Sequence, residues 1–371
     1  MFSVLVPLYA VAVGLNAAQV GLVVAARSVL PTLLSIHGGI LADQFGTQRV
    51  LKWVALACML LPMLYPISGW FTVLILLQLI MGLASSFGMA TSQTWAMQVS
   101  RGDTALLARY SVATRVGTFI GPVLVGAVWD FFGSWAAFSC IALCGAGITW
   151  ATASVVDHSA RAAPNSRPGL SALVPSWALH KQALLLATVP AVAFILGASL
   201  LRNSSGAIQS SIFVVYLNGI GMSGTLIGTL VAIAELSGVA GSLLAAPVEK
   251  RLGAVRLVIL CIVVSTLCMA VTPMTARILP VIIGACVLRG IVQGMSQPLM
   301  YAILSHEVGS SQQGASVGLR NAVVRLGSIV TPTVMGIAAE RYGIEMSFYV
   351  VGAAFLAGTA CLAFLGRGLS R

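Results

Sequence analysis

The chain has 371 residues, 58% of them hydrophobic and 8% charged, with a mean hydropathy of +1.00 and a formal net charge of +11. This composition excludes a water-soluble globular domain and points to a polytopic membrane protein. Nucleic-acid binding is not needed to explain the charge, because the basic residues follow the loops.

A membrane span takes about 20 apolar residues. In chain order, apolar runs near 1–14, 19–42, 49–67, 71–98, 106–128, 133–155, 183–217, 223–246, 254–272, 279–305, 313–338 and 343–366 predict twelve spans. The first, "MFSVLVPLYAVAVG", is too short for a bilayer of ~30 Å at 1.5 Å per residue. It also lacks the basic n-region of a cleavable signal peptide. Met1 is therefore expected to lie inside the first helix.

The second span runs into "GGILADQFGTQRVL", Gly38 to Leu51, where Ser35, Gly39 and Asp43 recur every four residues and give one small face ending in a carboxylate. When loops are assigned alternately, twelve of the twenty Lys and Arg residues fall on one side, among them Arg49, Lys52, Lys250, Arg251 and Arg256. Two, Arg277 and Arg341, fall on the other, and six lie inside spans. The positive-inside rule makes the first side cytoplasmic. Between the sixth and seventh spans, residues 156–182 form the only long polar interval, with Pro164, Pro168 and Pro175. It reads as a cytoplasmic linker between an N-terminal half (1–155) and a C-terminal half (183–371).

The two halves align without gaps. At an offset of 210, "RVGTFIGPVLVGAVWDFFGSWAAF" lies on "RLGSIVTPTVMGIAAERYGIEMSF", with Arg115 on Arg325, Pro122 on Pro332, Gly126 on Gly336 and Asp130 meeting Glu340. At an offset of 207, Gly14 meets Gly221, Gly21 meets Gly228, Gly46 meets Gly253 and Arg49 meets Arg256, whereas Asp43 meets Lys250. The predicted fold class is an all-α polytopic membrane protein of twelve transmembrane helices in two six-helix repeats, an architecture shared by many secondary transporters.

With these features in place, the chain resembles the major facilitator superfamily over essentially its whole length. "GGILADQFGTQRVL" is similar to that family's loop 2–3 signature at Gly39, Leu41, Ala42, Asp43, Gly46, Arg49 and Leu51, departing at Gln44 and Thr47. "GTFIGPVLVG" (Gly117, Gly121, Pro122, Gly126) resembles the fifth-helix motif of proton-coupled exporters, with Ala127 in place of a further glycine. The resemblance implies a gating role for Asp43 and a central path lined by helices 1, 4, 7 and 10.

Independently of that resemblance, ionisable groups inside spans are expensive in hydrocarbon and mark cavities or partners. They are Arg27, Arg115, Arg202, Arg289, Arg320 and Arg325, against one acid, Glu235. Arg320, near the cytoplasmic end of its helix, is expected to snorkel. Glu235 shares a face with Gly238 and Ser242, and three readings stand for it: a static Glu–Arg pair, a proton carrier and a contact to a cationic substrate. Polar stripes carry Gln78 and Gln93 on helix 4, Arg202 and Gln209 on helix 7, and Arg289, Gln293, Ser296 and Gln297 on helix 10; with Arg27 and Arg325 these are the substrate-cavity candidates. Gly117 and Gly121 are expected to form a close-packing face.

The cysteines are scattered through apolar runs without CxxC spacing, and the four histidines do not cluster, so no metal site or cofactor is expected. A membrane enzyme would need clustered acid, base or nucleophile groups, and a sensor would need an output domain; neither is visible. No P-loop for ATP is present. The leading expectation is a monomeric, multi-pass protein of a bacterial inner membrane that exports a small organic solute by alternating access with proton coupling. The alternative is uptake of an organic anion held by intramembrane arginines.

Overall fold

The computed structural model describes residues 1–45, 47–100, 104–154, 188–307 and 313–366. Side chains are described for these residues except 35–45, 47, 48, 94, 97, 98, 100, 104, 105, 107, 108, 111, 304–307 and 313–318. Gly39 and Asp43 of the predicted loop motif are therefore described as backbone only, and Gly46 and the linker 156–182 fall outside the described residues.

Among the described residues every regular element is helical. The first half contains α1 (Phe2–Ala12), α2 (Ala17–Phe45), α3 (Thr47–Leu60), α4 (Phe71–Ser100) and α5 (Thr104–Ser154). The second contains α6 (Pro190–Gln209), α7 (Ile212–Gly219), α8 (Gly224–Leu252), α9 (Ala254–Ala270), α10 (Leu279–Glu307), α11 (Gln313–Tyr342) and α12 (Ile344–Gly366). Eight stretches of these helices are long and apolar enough to cross a membrane, and Phe2–Ala12 and Ala254–Ala270 are shorter apolar helices.

Two of the predicted spans, the fifth and sixth, join in α5 across a single non-helical residue, Gly133 at φ +77°. Its counterpart at an offset of 210, Gly343, has φ +85°, and the pair Gly14 and Gly221 has φ +82° and +87°. Only glycine takes this conformation without steric cost, so the repeat preserves its tight turns by preserving these residues. The predicted seventh span is broken instead, at Ser210 and Ser211 between α6 and α7. Hydrocarbon offers no water to the carbonyls freed there. Ser211 Oγ donates to Ala207 O at 2.7 Å, and Ser210 N donates to Gly206 O at 3.1 Å, which covers the break.

Large apolar side chains face outward all round the bundle, as a lipid solvent requires; Leu143 and Leu243 are each more than 70% exposed. Trp70, Phe131 and Phe132 ring one end and Trp53 and Trp150 the other, the placement of membrane-interface aromatics.

The halves meet along two seams that are the same contact made twice. In the α5–α8 seam, a methyl group at Gly228 would overlap the Pro122 carbonyl oxygen, and one at Gly126 would overlap Gly224 O. In the α2–α11 seam, Gly21 meets Pro332 O and Gly336 meets Ala17 O in the same way. Each pair maps onto the other under the repeat. Both seams lie at the end bearing Gly14, Gly133, Gly221 and Gly343, where α1, α7, α8, α11 and α12 share a buried core of Leu8, Ile212, Leu217, Leu230, Met335 and Phe348. The seam thus uses Pro122 and Gly126 rather than the expected Gly117 and Gly121. Gly117 has open space beside it, and Gly121 touches only Met1.

One seam carries an added latch. Asp130, one turn beyond Gly126, accepts from Gly224 N and Thr225 N, both at 2.7 Å, and from Thr225 Oγ1, capping α8 from the opposite half. Its mate Glu340 is exposed, and α2 is capped from within its own chain segment: Asn16 Oδ1 accepts from Gln19 N while Gln19 Oε1 accepts from Asn16 N.

Inside the second half α8 and α10 are also in backbone contact, Gly294 against Gly238 O and Gly241 against Ile291 O. Gly294→Ala is therefore expected to lower the thermal midpoint of the detergent-solubilised protein by several degrees. Gly284→Ala, on the same helix with nothing within 4 Å, should leave it unchanged or raise it slightly, since alanine is favoured over glycine in a helix by about 1 kcal/mol.

Candidate substrate cavity

Residues of both halves also enclose a cavity of about 480 Å³. Its lining brings together Arg115 from α5, Arg202 and Gln209 from α6, Glu235, Gly238 and Ser242 from α8, and Arg289, Gln293, Gln297 and Tyr301 from α10. Ser242 and Tyr301 lie 7 and 12 residues beyond Glu235 and Arg289 along their helices, so the polar lining extends for roughly 10–18 Å at 1.5 Å per residue. Arg115, Glu235 and Gln297 are exposed along it.

One turn of α6 holds the wall in place. Arg202, Asn203, Ser204 and Ser205 point in successive directions about 100° apart. Arg202 Nε donates to Ser296 Oγ at 2.7 Å, and its Nη2 donates to Gln293 O at 3.0 Å and Gln297 Oε1 at 3.2 Å, tying α6 to α10. Asn203 Nδ2 donates to Val324 O and Ser328 Oγ of α11 at 2.8 and 2.7 Å. Ser204 is bonded to Thr331 of α11, and Ser205 to Ser265 of α9. Gln293 Nε2 closes the network by donating to Arg202 O and Ser265 Oγ, each at 3.1 Å.

Arg289 is different. It is 4% exposed, lines the cavity, and makes no hydrogen bond or ion pair among the described residues. A lone arginine at a helix centre costs about 3 kcal/mol to insert, so a group left without a partner there does not serve the fold. Gln209 beside the break after α6 is 6% exposed, and its Nε2 has no partner either. Among the described residues neither is bonded to Glu235, the carboxylate that lines the same cavity.

The expected static Glu–Arg pair is not formed. Among the described residues the single ion pair is Arg277 Nη2 to Glu345 Oε1 at 3.8 Å, on the exposed rim, and Glu235 has no arginine within bonding distance. Arg202 satisfies itself on neutral oxygens, which leaves the carboxylate facing the cavity. The expected snorkelling of Arg320 is corrected as well: the residue is 4% exposed, donates to Ser199 Oγ at 2.8 Å and Tyr301 OH at 3.0 Å, and stacks 4.7 Å over the Tyr301 ring. An aromatic partner on α10 made burial cheaper than reaching for the interface.

The Major Facilitator Superfamily model matches residues 1–201 and 194–369. This chain belongs to the Major Facilitator Superfamily. Solved superfamily members of similar structure include a substituted form of the nucleoside transporter NupG, at 16% identity and a TM-score of 0.80, covering all of this chain and 96% of that one. A form of the peptide transporter POT in complex with sulfate has 13% identity and a TM-score of 0.74, covering 99% of this chain and 91% of that one. At such identities the likeness concerns the fold. No curated protein matches this chain. Membership makes the protein an integral, multi-pass membrane transporter of the superfamily fold.

The remaining superfamily candidates are dispersed. Arg27 and Gln78 line a separate cavity of about 240 Å³ with Phe2, Val24 and Ser210; Arg27 Nη2 donates to Ser85 Oγ at 3.2 Å and lies 5.1 Å over the Phe2 ring. Arg325 Nη2 donates across the halves to Ser86 Oγ at 2.9 Å. Gln93 and Arg49 are exposed outside both cavities. Ser296 serves Arg202. Asp130, Asn203 and Ser265 were missed by sequence reasoning; the Arg-Asn-Ser-Ser run, four polar residues inside an apolar span, was the available signal. Among the described residues no group of three metal-ligating side chains occurs.

The division of labour between the two arginines is measurable. Arg202→Gln, which removes charge-assisted bonds of about 1.5–3 kcal/mol each, should lower the thermal midpoint by several degrees, whereas Arg289→Gln should leave it unchanged or higher.

Proposed function

We propose that this protein is a proton-coupled secondary transporter that moves a small organic solute bearing an anionic group by alternating access. The observation that carries the reading is the buried Arg289 in the cavity lining, without a bonded partner among the described residues. A guanidinium with free N–H groups recognises a carboxylate or phosphate bidentately, and in a low-dielectric site that bond is strong.

The two six-helix halves, divided at 156–182, rock about the glycine–proline seams. By the positive-inside rule the open end, toward Arg49 and Lys250, is cytoplasmic, so the described state faces inward. A monomer in a bacterial inner membrane suffices, because one chain encloses the cavity. Glu235 exchanges the coupling proton: it lies in the same cavity as Arg202 and Arg289 and is bonded to neither. Its exposure in the cavity gives a proton a route between that carboxylate and water while the site is open.

The fifth-helix motif, whose Pro122 and Gly126 form the α5–α8 seam, supports outward movement as the direction. Uptake of an organic anion is the second reading, favoured by the excess of arginine over acid in the cavity.

Reconstitution into proteoliposomes with an imposed pH gradient tests both the coupling and the site. Glu235→Gln should abolish concentrative, protonophore-sensitive transport of labelled organic acids while sparing solute exchange. Arg289→Gln should raise the apparent KM at least tenfold. Unchanged protonophore sensitivity in Glu235→Gln rejects the proton role, and unchanged KM in Arg289→Gln rejects the anion site.

A further inference from the structure

The cavity's free positive charge stands at two places on opposite walls. Arg289, in the second half, is one of them. Arg115, on α5, is the residue of the first half that lines the same cavity. It is exposed, and its side chain makes no hydrogen bond among the described residues.

The internal repeat accounts for that freedom. Arg325, the counterpart of Arg115, has a partner: it donates across the halves to Ser86 of α4. The partner that Arg115 would need on α10 can be located from a shared packing contact. Gly82 of α4 packs on the Arg27 carbonyl, and Gly290 of α10 packs in the same way on the carbonyl of Ala234, the residue that aligns with Arg27. This equates α4 with α10 at an offset of 208, so the counterpart of Ser86 is Gly294. Gly294 has no side chain to accept a bond and can acquire none, because it lies against the backbone of Gly238. The first-half arginine is therefore left facing the cavity while its twin is satisfied.

The charge balance points the same way. Arg115, Arg202 and Arg289 against Glu235 leave the lining at a net +2 when the carboxylate is ionised. One monoanion would leave half of that uncompensated.

We propose that the cavity takes an organic dianion end to end, one anionic group on Arg289 of the second half and the other on Arg115 of the first. The proposal rests on the reading of this cavity as the site of a transported anion and narrows its substrate class. Such a ligand is bonded to both halves at once. It can therefore draw the open end closed, which a monoanion held on Arg289 alone cannot do.

The test uses the purified full-length protein in detergent and calorimetric titration with succinate, glutarate and adipate, each against its own monomethyl ester, which keeps the length and removes one charge. At one chain length the diacid should bind about tenfold tighter than its ester, the gain expected from a second charge-assisted contact. Arg115→Gln should abolish that preference while leaving ester affinity within about twofold, and Arg289→Gln should weaken diacid and ester alike. Arg115 is exposed, so its variant carries the test even if Arg289→Gln fails to fold. If diacids and esters bind equally at every length, or if Arg115→Gln keeps the preference, the end-to-end site is overturned while anion recognition stands. If neither class binds the unmodified protein, anion recognition itself falls.

Discussion

A proline carbonyl lying against a bare glycine, made once at Pro122–Gly228 and again at Pro332–Gly21, is the contact on which the rest of this molecule depends. In hydrocarbon, helices gain nothing by hiding apolar surface from one another, so association comes from close van der Waals approach and weak Cα–H···O contacts that only small residues permit. These contacts hold the halves together at one end of the bundle, and residues of both halves line the cavity.

Within the second half the cavity wall is fixed by polar bonds. Four consecutive residues of α6 reach α9, α10 and α11, and each bond falls between groups that would otherwise lie unsatisfied in lipid. A wall so anchored presents Arg289 and Gln209 in fixed positions, and the bare α8–α10 backbone contact at Gly238 and Gly294 leaves no side chain to fill the space between.

Much of this was legible in the residues. Hydropathy located the spans, loop glycines marked the turns, and gap-free self-alignment exposed the two repeats. What escaped was rotational: composition tells that α5 carries several glycines, but not that Gly126 faces α8 while Gly117 faces open space. The same holds for the arginines. Six looked alike in sequence, yet Arg202 is a strut, Arg320 is stacked on Tyr301, Arg325 bridges to Ser86 and Arg289 is unpaired, because each outcome depends on which neighbour a helix presents. The merging of two spans at Gly133 and the break at Ser210 were likewise invisible, since both are backbone events within apolar runs.

The doubled seam also makes the protein its own two-row alignment. The two halves have had equal time to drift apart, yet Pro122 and Pro332, Gly126 and Gly336, and Gly21 and Gly228 still agree, and all six sit at the junction. Two cavity positions differ instead: Glu235 aligns with a serine of the other copy and Gly294 with Ser86, although Arg115 aligns with Arg325. The two copies thus keep one junction twice over while unlike residues line the cavity, so a change in one wall leaves the shared contact untouched.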